Sequence, residues 1–274
     1  MKLALRAASG FDLSQVDPDS TPGFDGDKKA GSAELASRAD ELAELQEKLF
    51  ASGAQGGQRS LLLVIQAMDT AGKGGIVKHV VGSVNPQGVD ISSFKAPTDE
   101  EKAHDFLWRI GKQLPIPGRI GVFDRSHYED VLIHRVRELS PPDVIEKRYG
   151  EIVDFEKRVR DSGTEIVKVM LHISPEQQKK RLAARLDSAT KRWKYNPGDL
   201  DERCYWGAYM EAYQIAIERT STAEAPWYVV PGNHKWFGRL AVQHLLLDAL
   251  RSFDLRWPAV DYDIAAERER LARS

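Results

Sequence analysis

The chain has 274 residues, of which 42% are hydrophobic and 29% charged, so it can build one large α/β domain or two small ones around a packed core. Its 39 Lys and Arg residues nearly balance 41 Asp and Glu residues, leaving a formal net charge of −2. That balance argues against a general nucleic-acid binder, and any polyanion site must be a local gathering of cations.

Cys204 is the only cysteine, which rules out an intrachain disulfide and reads as a buried structural thiol. No stretch approaches the roughly 20 apolar residues that span a bilayer, so a cytoplasmic protein without a membrane partner is expected. Residues 9–31 are rich in Asp, Gly, Ser and Pro and read as an extended arm that wraps the domain or a neighbouring subunit. Leu35, Leu42, Leu45 and Leu49 then recur at helical spacing, and Gly53, Gly56 and Gly57 mark the end of that helix. Arm and helix together form an N-terminal unit, 1–55.

From there strands and helices alternate. The unbroken apolar run Leu61–Ile65 is the mark of a strand covered on both faces, and Val89–Phe94, Ile120–Phe123, Ile166–Ile173 and Trp227–Val230 are further strands. Helices are predicted at 75–84, 99–112, 128–136, 142–162, 175–187, 199–222 and 235–253. This alternation implies a parallel sheet flanked by helices, whose strand ends meet at one ligand-binding edge. A core over 56–255 and a charged tail over 256–274, a short surface helix or frayed end, complete the chain.

The first strand runs into QAMDTAGKGG (66–75) and then into a helix. A strand, a small-residue turn, a lysine and a helix N-terminus make an anion cradle: the backbone of Thr70, Ala71, Gly72 and Gly74 offers N–H groups, and Lys73 supplies a compact charge. The match to G-x-x-x-x-G-K-[ST] is incomplete, because Ala67 replaces the first glycine and Gly74 stands where a metal-binding hydroxyl belongs. Asp69, inside the loop, and Asp124, at the exit of the strand 120–123, can supply oxygen ligands for a divalent cation instead. Arg125 follows Asp124 directly and suits phosphate.

The segments AMDTAGKGG (67–75) and FDRSHYEDVL (123–132) resemble the second family of polyphosphate kinases. So do VNPQGVDISSFKAPTDEE (84–101), HDFLWRI (104–110), LHIS (171–174), KRWKYNPGDL (191–200) and APWYVVPGNHKWF (225–237). The resemblance covers about residues 58–252 in order. It implies a P-loop kinase fold akin to thymidylate kinases, a three-layer α/β/α architecture with a parallel central sheet and a helical lid. It also implies magnesium-dependent phosphoryl transfer between inorganic polyphosphate and nucleoside mono- or diphosphates, with manganese as an alternative ion. The family's Walker A acid and lysine fall on Asp69 and Lys73, and its Walker B acid and arginine on Asp124 and Arg125. Glu129 stands where some members carry Asn, in a form resembling enzymes that accept nucleoside monophosphates, sometimes diphosphates too. Homodimers or homotetramers are common in the family, and the arm and the helices at 142–162 and 199–222 are candidates for an interface.

The lid is expected at about 175–198, where Lys179, Lys180, Arg181, Arg185, Lys191, Arg192 and Lys194 crowd one helix and loop. Such a segment can close over a phosphate chain, and Arg181, Arg185 and Arg192 are the expected phosphate contacts. Lys78, one turn into the loop helix, extends the track. Phe94, Lys95 and Pro97 with the HDFLWR stretch are candidates for a base-stacking wall, although Phe106 and Trp108 read as core residues and His104 and His127 as structural histidines. Two rival readings share these features: an ATP-dependent nucleotide or small-molecule kinase, and a non-catalytic polyanion-binding module.

Overall fold

The computed structural model describes all residues, 1–274. Five parallel strands, β1 (Ser60–Ala67), β2 (Val89–Ser93), β3 (Ile120–Asp124), β4 (Thr164–His172) and β5 (Trp227–Pro231), form one sheet in the order β2-β3-β1-β4-β5. Every residue of the central β1 is buried, as its continuous apolar run requires.

Helices lie on both faces. In chain order they are α1 (Lys2–Leu5), α2 (Lys28–Ser37), α3 (Ala39–Ala54), α4 (Lys73–His79), α5 (Asp99–Lys102), α6 (Trp108–Gly111), α7 (Ile133–Val136), α8 (Pro142–Asp161), α9 (Pro175–Asp187), α10 (Pro197–Glu202), α11 (Trp206–Thr220), α12 (Lys235–Arg251) and α13 (Ile264–Ala272). Leu61, Leu63 and Ile65 point from β1 into a core of 28 buried residues shared with α3, α4 and α12. Leu62 and Val64 point the other way, into a core of 25 buried residues shared with α8 and α11. The period-2 alternation of a strand thus feeds two cores of similar size, which is the three-layer arrangement expected.

Several expected helices are broken, among them 75–84, where α4 ends at His79 and a 3₁₀ turn follows at Val81–Ser83. The span 99–112 divides into α5 and α6, because the Asp105 carboxylate accepts from Leu107 N at 2.9 Å and turns the chain between them. The span 199–222 divides into α10, a 3₁₀ turn at Arg203–Tyr205 and α11, and 128–136 divides into a 3₁₀ turn at His127–Asp130 and α7. Cys204 lies in the turn before α11 and is exposed, not buried, because that turn stands outside both cores.

The N-terminal arm wraps its own domain. Ala7 N donates to Trp227 O at 2.9 Å and Arg6 bridges Tyr228 antiparallel, so the arm covers the free edge of β5. Farther along, Gln214 of α11 donates to Phe11 O and accepts from Leu13 N, both at 2.8 Å.

One charged group crosses the second core. Lys168 on β4 is fully buried, and its Nζ donates to Glu156 Oε2 of α8 at 2.6 Å, to Thr220 O of α11 at 2.8 Å and to Tyr128 Oη at 3.1 Å. Burial pushes the Glu156 carboxyl up, but Lys168 and His127 outweigh it and hold the group below its ordinary value. His127 and Tyr128 are therefore structural, and they pin the turn that follows Asp124 and Arg125 to the sheet.

Candidate active site

β1 and β3 run side by side, with Ile65 in register with Asp124, so the loops that leave them meet at one edge of the sheet. A cleft of about 940 Å³ opens there. The turn after β1 forms its floor. Gly72 takes φ +126° and caps α4, whose first N–H groups receive no side-chain cap. A Cβ at Gly72 or Gly74 would meet nothing within 4 Å, so the backbone here is bare toward the cleft, as an anion cradle needs. Lys73 is largely buried, with Nζ 3.3 Å from Ala67 O and 4.0 Å from Asp124 Oδ1.

Two side-chain-bearing residues at this edge are left-handed: Thr70 at φ +64° and Arg125 at φ +65°. For a β-branched residue that conformation is strained by about 1–3 kcal/mol and persists only where neighbours enforce it. The enforcing groups come from α9. Gln178 Nε2 donates to Asp69 O at 2.9 Å, and Arg181 Nη1 donates to Thr70 O at 3.1 Å and Ala71 O at 2.7 Å.

Asp69 and Arg125 pair at 2.8 Å. Burial disfavours the Arg125 charge, but Glu129 and Asp69 outweigh it and hold the guanidinium well above its ordinary value. Behind this pair lies a smaller pocket of about 230 Å³, lined by Asp69, Arg125, Glu129, Asp199, Tyr209 and Tyr213 among others. Asp69 and Arg125 line both cavities and so form the wall between them.

The three lid arginines part company. Arg181 is buried, and its Nη1 and Nη2 are spent on the carbonyls of Thr70, Ala71, Gly232 and Asn233; burial also pulls its pKa down to about 10. It braces the phosphate loop and also lines the cleft. Arg192 turns back to donate to Leu186 O at 2.7 Å and does not line the cleft. Arg185 lines the cleft, and only its Nη1 is engaged. Lys78 is exposed along the same cleft.

Sequence reasoning missed Lys235 and Arg239, which α12 presents to the cleft. Their signal is an i,i+4 pair of cations in the first turns of a mainly apolar helix. Arg239 lies 3.6 Å from where a Gly75 Cβ would stand, beside the N-terminus of α4. Burial lowers the Lys235 pKa, and Arg181, Lys191, Arg239 and Arg185 add to the effect, the signature of a site built for an anion. Phe94 and Lys95 line the large cleft, but Phe106 and Trp108 line neither cavity. The aromatic wall of the small pocket is Tyr209 and Tyr213, one turn apart on α11.

Gln66, turned so that its carbonyl oxygen faces Ser126, donates to Glu129 Oε1 at 2.9 Å. Burial raises the Glu129 carboxyl above its ordinary 4.5, against the pull of Arg125 and Lys73. The folded chain thus keeps this proton to higher pH than the unfolded chain, and stability from this group is complete at low pH and lost as pH rises through the folded value. Glu129→Gln should therefore gain stability relative to the parent as pH rises from about 4 to 8. Urea unfolding across that range checks the sign; a flat or falling difference refutes it.

The family model for polyphosphate kinase 2 matches residues 25–256. An AMP/ADP-polyphosphate phosphotransferase from Meiothermus ruber is 46% identical over 248 residues, spanning 90% of this chain and 91% of the relative. An ADP-polyphosphate phosphotransferase from Rhodopseudomonas palustris is 41% identical and spans 82% of this chain and 80% of its own. The crystal structure of a polyphosphate kinase 2 from Arthrobacter aurescens TC1 superposes with a TM-score of 0.96 at 61% identity, covering 98% of this chain and 95% of that one. The likeness runs along nearly the whole sequence and the whole fold that carries the phosphate loop, and the chain belongs to the polyphosphate kinase 2 family.

Proposed function

We propose that this protein transfers phosphoryl groups reversibly between inorganic polyphosphate and nucleoside mono- and diphosphates. Polyphosphate lies in the large cleft and the nucleotide enters from the smaller pocket. The observation that carries this reading is the charge of the cleft: seven lysines and four arginines against two aspartates among 27 lining residues, in a chain whose net charge is −2. One triphosphate tail does not need that many cations, whereas a linear polyanion does. The names of the relatives favour polyphosphate as donor over an ATP-dependent kinase, and two carboxylates at the transfer point have no use in a passive anion binder.

Phosphoryl transfer asks for positioning and charge stabilisation more than for covalent chemistry. Lys73 and the bare loop backbone hold the phosphate to be transferred. Arg125, kept charged by Glu129 and Asp69, faces it from the wall between the cavities. Arg185 covers it from the lid and excludes water. The acceptor oxygen is already ionised, so no strong general base is needed. Asp69 and Asp124 would hold magnesium, which supplies charge neutralisation on the phosphates when bound. No group of three or more Asp, Glu, His or Cys forms a ready-made cage, and a pair of carboxylates completed by phosphate and water oxygens is the donor set magnesium takes. Glu129 and the pocket beside it support acceptance of monophosphates as well as diphosphates.

No helix is long and apolar enough to cross a membrane. Cytoplasmic location and a homodimer or homotetramer belong to the same reading, and Trp257, Val260, Tyr262, Ile264 and Leu271, exposed along the tail, support a subunit contact.

With magnesium and long-chain polyphosphate, the purified protein should make ATP from ADP and ADP from AMP. Apparent affinity for polyphosphate should fall several-fold between about 50 and 200 mM salt, as counterion release predicts for a polyanion track. Product formation independent of polyphosphate, or insensitive to salt, would overturn the assignment.

A further inference from the structure

Among the cations of the lid, Arg185 is placed differently from the others. Its Nη1 donates to Lys194 O at 3.0 Å and to Asp199 Oδ2 at 3.2 Å. Nη2 and Nε have no protein partner, and the residue lines the phosphate cleft. One corner of the guanidinium is thus clamped while the rest of its donors stay open, which is the form a planar fork takes before it grips a phosphate.

Asp199 has an unusual position of its own. It sits in the first turn of α10, where the helix N-terminus favours a carboxylate, and only 8% of its surface is exposed. Asn196 caps that helix by accepting from Gly198 N at 3.1 Å, and Pro197 opens it, so the turn is rigidly built. Asp199 lines the small pocket and Arg185 lines the large cleft. Their ion pair therefore joins the linings of the two cavities, as Asp69 and Arg125 also do. A buried carboxylate this close to the acceptor's negative phosphate is a liability for binding, so it needs a compensating role.

We infer that Asp199 is a positioning residue for phosphoryl transfer: it holds the Arg185 guanidinium with its free donors over the phosphate that passes between the cavities. This rests on the polyphosphate reading of the cleft. Without the clamp, Arg185 swings among rotamers, and a misplacement of about 1 Å costs on the order of 10–100-fold in turnover. Affinity for the nucleotide, which Asp199 does not grip in this account, stays the same.

The test is a set of variants assayed for ATP formation from ADP and polyphosphate, with kcat and both KM values measured. Asp199→Asn should lower kcat by about 10–100-fold and leave the KM for ADP unchanged. Asp199→Glu should restore part of kcat. In an Arg185→Ala background, Asp199→Asn should cost little more, because the group through which it acts is gone. Thermal melting of each variant separates lost fold from lost positioning. A raised KM for ADP at normal kcat would mean that Asp199 contacts the acceptor directly, and an undiminished effect in the Arg185→Ala background would mean the same. Either result, or an Asp199→Asn enzyme with normal kinetics, overturns the inference. Failure of the parent protein to use polyphosphate at all would instead sink the reading of the cleft.

Discussion

Lys73→Ala is expected to lower kcat for polyphosphate-dependent ATP formation by roughly 10²–10³-fold, the usual loss when one preorganised donor to a developing charge is removed. The side chain is fixed before substrate arrives: it is largely buried and held between Ala67 O and Asp124. It cannot be replaced by the cations of α12 or the lid, because those stand around the cleft and not at the turn that cradles the phosphate. Arg239→Ala is the informative contrast. Arg239 makes no ion pair and borders the track at Gly75, so its loss should raise the KM for polyphosphate and weaken the salt dependence while kcat changes far less. Steady-state kinetics at two salt concentrations distinguish the two classes. Equal effects on kcat in both variants would mean that the cleft acts as one diffuse field and not as a cradle with an approach.

Lys168→Met is expected to destabilise the fold by about 3–5 kcal/mol, because it leaves Glu156 charged, buried and without its cation. For a domain of this size that is a drop of on the order of 10 °C in Tm. Lys168→Met combined with Glu156→Leu should recover most of the loss, since replacing both members of a buried pair with apolar groups is often neutral or better. Differential scanning calorimetry of the two variants checks the contrast. The recovered double variant is the more revealing protein, because Tyr128 would keep only Thr220 as a partner at its hydroxyl. Reduced turnover in a well-folded double variant would show that the pair's function is to hold the turn after Arg125. A double variant as unstable as the single one would contradict the desolvation argument.

The parts of the architecture that were legible in the sequence are those fixed by local pattern. β1 and β4 declare themselves because a strand covered on both faces reads as a near-continuous apolar run, broken in β4 chiefly by the paired Lys168. The lid helix Pro175–Asp187 begins with Ser174 capping Gln177 N and a proline in the first turn, signals that do not depend on context. The breaks in longer helices were not legible. Arg38 interrupts the predicted N-terminal helix without a glycine or proline, and Asp105 turns the chain with a side chain that reads equally well as a helical surface residue.

The site divides in the same way. Asp124 ends β3, and Arg125, Asp69 and Lys73 lie within six residues of a strand end, so the sheet brings them to one edge. Arg181, Arg185 and Arg192 look equivalent in a basic run. Which of them spends its donors on carbonyls is decided by packing against Gly232 and the phosphate loop, which no local pattern records. Tyr209 and Tyr213 were hidden for a different reason: an aromatic pair one turn apart ordinarily means core, and here both residues are buried and also face a pocket.

The bracing of the phosphate loop by Arg181 and Gln178 bears on how the enzyme begins each cycle. A loop with a left-handed threonine would relax in isolation, and a loop ordered only by its ligand would charge that ordering against affinity at every encounter. With α9 tied to its carbonyls, the cradle is shaped once, when the chain folds. The same tie fixes the base of α9 and, with it, the helix that carries Arg185 to the cleft. The cradle is a stationary anvil, shaped before any phosphate reaches it and unchanged from one encounter to the next.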